Sequence, residues 1–238
     1  MERFNRILNG AIWLLAGLVI AVFVLTHLPP VQNFLGVQVG EALGKKLGTT
    51  VRVGRIDLGF FNRIIIDNVQ LYDHQGKPML AATRLSAKFN YVALSQGKIA
   101  INSAQLFGLH ANFYRQHATA APNFQFVLDS LASKDTTQHK PLDLAIRSLI
   151  VRNGKVSYNQ LDAPQTPKFS PQHLHFTDIS MHLMLNAFNE DSLNLVVKKL
   201  SLKEKKGGQL KALSLALLAN RQRAQLQHFC LELPHTQV

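Results

Sequence analysis

Three histidines come nearest to a reactive constellation. His173 and His175 stand two apart, the spacing that puts two side chains on one face of a strand, and His182 follows in the same segment. Imidazole is a common zinc ligand, so a metal site is the chemistry such a trio would carry. No cysteine or defined fourth ligand accompanies them, and exposed strand histidines are the plainer expectation. The carboxylates say less: Asp57, Asp67, Asp73, Asp143, Asp162 and Asp178 are scattered through turns and strand ends, at no spacing that forces two together for acid–base work. No phosphate-cradling glycine loop, zinc-protease helix or nucleophile elbow occurs. The expectation is a chain that is not an enzyme and needs no cofactor or metal.

Charge is the next signal. Lys plus Arg number 26 against 14 Asp plus Glu, a net charge of +12. Lys198, Lys199, Lys203, Lys205, Lys206 and Lys211 crowd into a stretch whose only acid is Glu204. A nucleic-acid stripe would interleave aromatics with these lysines, and none do. A solvated hairpin face, with lysines discouraging edge pairing, is the expected role; anionic lipid or an acidic partner comes second. Cys230 is the lone cysteine, so no internal disulfide is available, and its apolar neighbours Phe229 and Leu231 read as a buried strand.

The elements that must position these residues begin with an apolar run, Ile7 to Leu28. Its roughly 22 residues make about 33 Å of helix, enough to cross a hydrocarbon core of about 30 Å. A cleaved signal would have a shorter core and a small-x-small site, whereas this run leads into Thr26-His27-Leu28-Pro29-Pro30. Arg3 and Arg6 precede it against Glu2 alone, which places the N-terminus in the cytoplasm and the bulk of the chain across the membrane. Export also argues against a nucleic-acid partner. Residues 1–30 are thus read as tip and anchor.

Residues 31–48 form the second unit. Val31, Phe34, Leu35, Val39, Ala42, Leu43 and Leu47 fall at helical spacing, Lys45 and Lys46 lie in the last turn, and Gly48 follows as a C-cap. This amphipathic helix either lies on the bilayer or caps the end of the next domain, the second being favoured because a sheet edge needs a cover.

From residue 49 to 238 the period becomes two. Val51 and Val53 alternate with polar residues; after Gly54 the phase resets to Ile56 and Leu58, which predicts a bulge or bend. Strands are expected at Ile64 to Tyr72, Arg84 to Tyr91, Lys98 to Phe107, His110 to Gln116, Leu142 to Val151, Lys155 to Asn159, Leu174 to Leu185, Leu193 to Lys203, Leu210 to Ala219 and Ala224 to Leu233. Asn123 to Leu131 has helical spacing, Ser133 to Lys140 reads as connector, and Leu161 to Pro171 as loop.

Ala104, Leu106, Ala111 and Phe113 superpose on Leu149, Val151, Val156 and Tyr158 at one constant offset, each set read as a strand, a tight turn and a returning strand. Such repetition favours a fold that grows along one axis. The predicted class is mainly β: an elongated, curved antiparallel sheet with one wet and one apolar face. Val51, Val53, Leu85, Ala87 and Phe89 are the candidate apolar lining. Few helices exist to cover that face, so the sheet either closes as a sandwich or forms a gutter for acyl chains or an unfolded apolar strand.

Particular residues also carry a family likeness. Leu28-Pro29-Pro30-Val31-Gln32-Asn33-Phe34-Leu35, Val51-Arg52-Val53-Gly54-Arg55-Ile56, Ile66-Asp67-Asn68-Val69-Gln70-Leu71-Tyr72-Asp73, Gly97-Lys98-Ile99 with Ile101, Phe169-Ser170-Pro171-Gln172-His173-Leu174 and Leu200-Ser201-Leu202-Lys203-Glu204-Lys205 resemble the AsmA-like family, most of all the start of its TamB branch in Bacteroidetes. The resemblance implies an inner-membrane anchor and a periplasmic groove with an apolar lining. It implies phospholipid delivery to the outer membrane and, with a BamA-like outer-membrane partner, assembly of outer-membrane proteins. Members are many times longer, so the expectation is an N-terminal portion lacking the C-terminal part that would meet that partner. The family has no enzymatic residues to carry over.

Overall fold

In a computed structural model the described residues are 2–59, 62–89, 100–131, 145–188, 192–220, 222–234 and 236–237. The apolar run forms α1, Glu2–Thr26, whose segment Asn9–Thr26 has a mean hydropathy of 2.2 and no buried residue. It is long and apolar enough to cross a membrane once. The prolines both end this helix and open the next one. Leu28 is extended (φ −71°, ψ 129°) and serves as the N-cap, with Pro29 and Pro30 beginning α2, Pro29–Leu47, because a missing amide costs nothing in a first helical turn. Gly48 ends α2 in the left-handed region, its N–H on the Gly44 carbonyl, as the sequence predicts.

The remaining elements are β1 Val51–Gly59, β2 Arg63–Tyr72, β3 Pro78–Phe89, β4 Ala100–Phe107, β5 His110–Arg115, α3 Gln125–Leu131, β6 Ala145–Ile146, β7 Ser148–Gln160, β8 His173–Phe188, β9 Ser192–Glu204, β10 Gln209–Asn220, β11 Ala224–Leu233 and β12 Thr236–Gln237. All strands join one sheet, ordered β1-β2-β3-β4-β7-β8-β9-β10-β11-β12, with β5 between β3 and β7 and β6 beside β4. Strands β8 to β11 pair as consecutive antiparallel neighbours, a meander. Asn90, Tyr91, Lys98, Ser133 to Lys140 and Leu142 to Asp143 lie outside the described residues.

Two expectations need correction. The sheet is mixed rather than antiparallel, because β4 and β5 run parallel to β7. The repeat is not a pair of hairpins either. β4 pairs with β3 from Arg84↔Phe107 to Ala87↔Ala104, and β5 continues the same register at Ala81↔His110 and Leu80↔Ala111. A chain that keeps its register against one neighbour has not turned back. Gly108 (φ 60°) only bends it, and β7 bends at Asn153 (φ 54°) in the same way. The repeated units then lie side by side: Ala104 meets Leu149, Leu106 meets Val151, Ala111 meets Val156 and Phe113 meets Tyr158. Parallel neighbours need a crossover, and α3 lies within it.

α2 lies along β1, the first strand of the sheet, as a cap for its edge. The face it buries is not the predicted apolar one. Gln32, Gly36 and Gly40 are buried, whereas Phe34 is 61% and Val37 52% exposed, and Ala42 and Leu43 face solvent. A Cβ on Gly36 would collide with the Gly54 carbonyl, and one on Gly40 would stand 3.0 Å from the Val51 carbonyl. Helix backbone thus rests almost directly on the unpaired edge of β1, which only glycine permits.

Candidate functional site

Residues directly opposite in neighbouring strands share a face, so the register shows what lies together. Ile56 stands opposite Ile66, Ile66 opposite Leu85, Leu85 opposite Leu106, Leu106 opposite Val151 and Val151 opposite Met181. The line continues through Leu200, Leu213 and Leu231. At about 4.8 Å per strand this apolar row is nearly 40 Å long. One step along the strands, a second row runs from Leu58 through Ile64, Ala87, Ala104, Leu149, Leu183 and Val197 to Leu215.

A third row lies on the far side of a bend line. Val51, Leu71, Leu80, Ala111, Val156 and Phe176 follow one another across six strands. Between the rows sit Asn68, Gly108, Asn153 and Asp178, with φ of 55°, 60°, 54° and 53°. A regular strand would turn its apolar residues outward after an odd step. Here the inward step is three residues once per strand, Val53 to Ile56 and Ile66 to Val69. In β2, β4–β5, β7 and β8 a left-handed residue absorbs the extra position, and β1 and β3 take the step without one, so both halves present apolar side chains to the same side. Between β1 and β2 this happens without a register slip, since Val53↔Val69 and Arg55↔Asp67 keep step; the predicted break at Gly54 is a bend.

The proposed lining residues fall into these rows. Val51 and Val53 lie on one side of the bend line, Leu85 and Ala87 on the other, and Phe89 one step further along β3. Val53 and Ala87 are each 8% exposed, and the other three are half-buried. Among the described residues no second sheet packs on this face; strand contacts run between neighbours in the sheet. The surface of 16,566 Å² is about half as large again as the roughly 10,700 Å² of a compact 26.6 kDa protein. Free-standing α1, with no buried residue from Asn9 to Thr26, accounts for part of the excess. Among the described residues one end of the face has a partial cover, where Phe124 packs edge-on against Phe113 at 4.8 Å just before α3.

The opposite face is polar and charged. Arg55, Asp67, Arg84, Phe107 and Arg152 form a row beside the bend line. Asp67 accepts from Arg84 Nε and from Arg55 Nη2, both at 2.7 Å, and Arg152 lies over the Phe107 ring. The Arg84 bond first, then the second arginine, hold the Asp67 carboxyl below the usual range against the opposing effect of burial.

The histidines form no metal site. Among the described residues no group of three His, Cys, Asp or Glu is placed to hold an ion. His173 is not an exposed strand residue but 2% exposed, its Nδ1 3.2 Å from Asn159 Oδ1 and its Nε2 3.1 Å from the Ala163 carbonyl. It pins the proline-rich loop to the sheet. His182 meets Ser148 instead, at 3.3 Å. Burial, followed by Lys205, lowers the pKa of His175.

The lysine cluster lies on the β9–β10 hairpin with Lys198, Lys199, Lys203, Lys205 and Lys211 exposed, the solvated face expected. But β9 and β10 are interior strands, so their lysines guard no edge. Lys203 pairs with Asp178 at 2.9 Å and Lys206 donates to the Thr166 carbonyl at 2.6 Å. Cys230 is half-buried. Sequence reasoning found the bend at Gly54 in β1 but missed its continuation across the other strands, although the same signal, a single step of three within a period of two, was present in several of them. No protein-family model matches the chain, and no curated protein matches it.

Proposed function

We propose that this chain is the membrane-anchored base of a hydrophobic groove that holds phospholipid acyl chains on their way between two membranes. The observation that supports this is the apolar row from Ile56 to Leu231, uncovered by any second layer among the described residues. Each large apolar side chain gains about 1.5–3 kcal/mol on leaving water, so such a face favours an apolar occupant. The bend line gives the face two walls. α2 closes the groove at its first strand, and α1 holds that end to the bilayer with the N-terminus in the cytoplasm and the sheet in the periplasm. The likeness to AsmA-like proteins points the same way. Binding and guiding an apolar chain needs no catalytic residue.

Native mass spectrometry of the intact chain in mild detergent, with extraction of bound lipid, tests this reading. Phospholipid should accompany the chain and be lost from Leu85→Asp and Ala87→Asp variants that keep their β circular dichroism. A chain that binds no lipid, or variants that bind it equally, would contradict it.

The second reading is a scaffold that helps to assemble outer-membrane proteins. It is favoured by the contrast between the two ends of the sheet: α2 covers β1, while among the described residues β11 has beside it the two-residue β12 alone. A partner strand, such as one from a BamA-like protein, would pair there.

A further inference from the structure

We infer that the corner of the sheet beside α1, carrying Arg63 and Lys88, rests on the anionic headgroups of the bilayer that α1 crosses. The inference builds on the anchor reading of α1, and its test separates the two.

The position of the corner follows from the α1–α2 junction. His27 Nε2 lies 4.0 Å from Asp57 Oδ1, and Gln32 Nε2 donates to the same oxygen at 3.2 Å. The exit of the membrane helix is therefore pinned to β1 two residues from its end, where Gly59 pairs with Arg63 and Arg63 with Lys88. Two residues of strand rise about 7 Å, and the two strand spacings that separate Lys88 from β1 add about 10 Å. Measured from Asp57, Arg63 then lies about 8 Å and Lys88 about 12 Å away, close to the Debye length of roughly 8–10 Å over which headgroup charge is felt.

The chemistry of the corner calls for an anion. Arg63 and Lys88 are directly opposed like charges, an arrangement that costs stability in an isolated sheet. Neither has an ion-pair or hydrogen-bond partner among the described residues. The other exposed basic pair on an acid, Arg55 and Arg84, shows the contrasting solution, with Asp67 between them. Unpaired cations beside the exit of a membrane helix form a surface suited to an anionic bilayer.

The test reconstitutes the full chain in nanodiscs of phosphatidylcholine alone or with a third phosphatidylglycerol, and follows amide hydrogen exchange at residues 62–66 and 84–88. Each basic residue near an anionic surface strengthens the contact by about fivefold. Exchange in these segments should therefore slow in the anionic discs, and the difference should vanish at high salt and in Arg63→Gln/Lys88→Gln. Wild-type exchange independent of lipid charge overturns the inference even if the variant misfolds, and leaves the anchor intact. A chain that enters neither kind of disc overturns both.

Discussion

Gly108 and Asn153 stand beside each other on neighbouring parallel strands, 45 residues apart in sequence, and both take left-handed backbone, φ 60° and 54°. Their strands bend at the same level, and the Gly108 N–H donates to the Arg152 carbonyl at 3.0 Å. A bend shared by neighbours can keep the sheet's hydrogen bonds; a bend in one strand alone would break them. Asn153→Val should destabilise the chain by about 1–2 kcal/mol, the cost of left-handed backbone at a branched residue, while Asn153→Gly should be close to neutral. Denaturant unfolding of the two variants checks the order.

α2 makes the opposite prediction from ordinary helix propensity. Alanine in place of glycine normally favours a helix by about 1 kcal/mol, and at Gly17, with open space around it, Gly17→Ala should be harmless. At Gly36 the added methyl meets the Gly54 carbonyl, and overpacking of this kind costs about 1–3 kcal/mol. Because Thr50 bonds inward to Tyr72, the Val51 and Val53 amides point towards α2. Gly36→Ala should speed their hydrogen exchange, and Gly17→Ala should not.

Asp67 makes stability depend on acid. Its folded pKa is depressed, so its contribution is present above its unfolded value near 4 and fades as pH falls through the folded value. Both arginines are about half exposed, which limits the effect to about 1 kcal/mol or less. Thermal midpoints of wild type and Asp67→Asn should differ at pH 7 and converge below pH 4.

Tyr114 acts at the alkaline end. Burial first, and then the 2.7 Å hydrogen bond to Asp73, push its pKa up to about 12. The folded state favours the neutral phenol, so this contribution is intact below about pH 10 and is lost as pH rises towards 12. Tyr114→Phe should lower stability at neutral pH and flatten the alkaline loss, as read from unfolding midpoints between pH 8 and 12.

The class of fold was legible because alternation of apolar residues marks strands whatever their partners. Two features escaped the pattern for physical reasons. Leu106 to Leu109 reads equally as a turn or a bend, since Gly108 suits both, and only pairing to β3 distinguishes them. The buried stripe of α2 is marked by missing side chains at Gly36 and Gly40, so weighing hydrophobic bulk selected the exposed Phe34 and Leu43 instead. His173 is buried because a loop distant in packing, not in pattern, supplies Ala163 as its partner.

Lys155 and Val156 are adjacent on β7, Lys155 exposed on the polar face and Val156 in the apolar row between Ala111 and Phe176. A photoreactive amino acid at each position in turn, illuminated in intact membranes, reports which face holds lipid. The groove predicts phospholipid adducts at position 156 and none at 155. Equal labelling at both positions, or lipid at 155 alone, would contradict it.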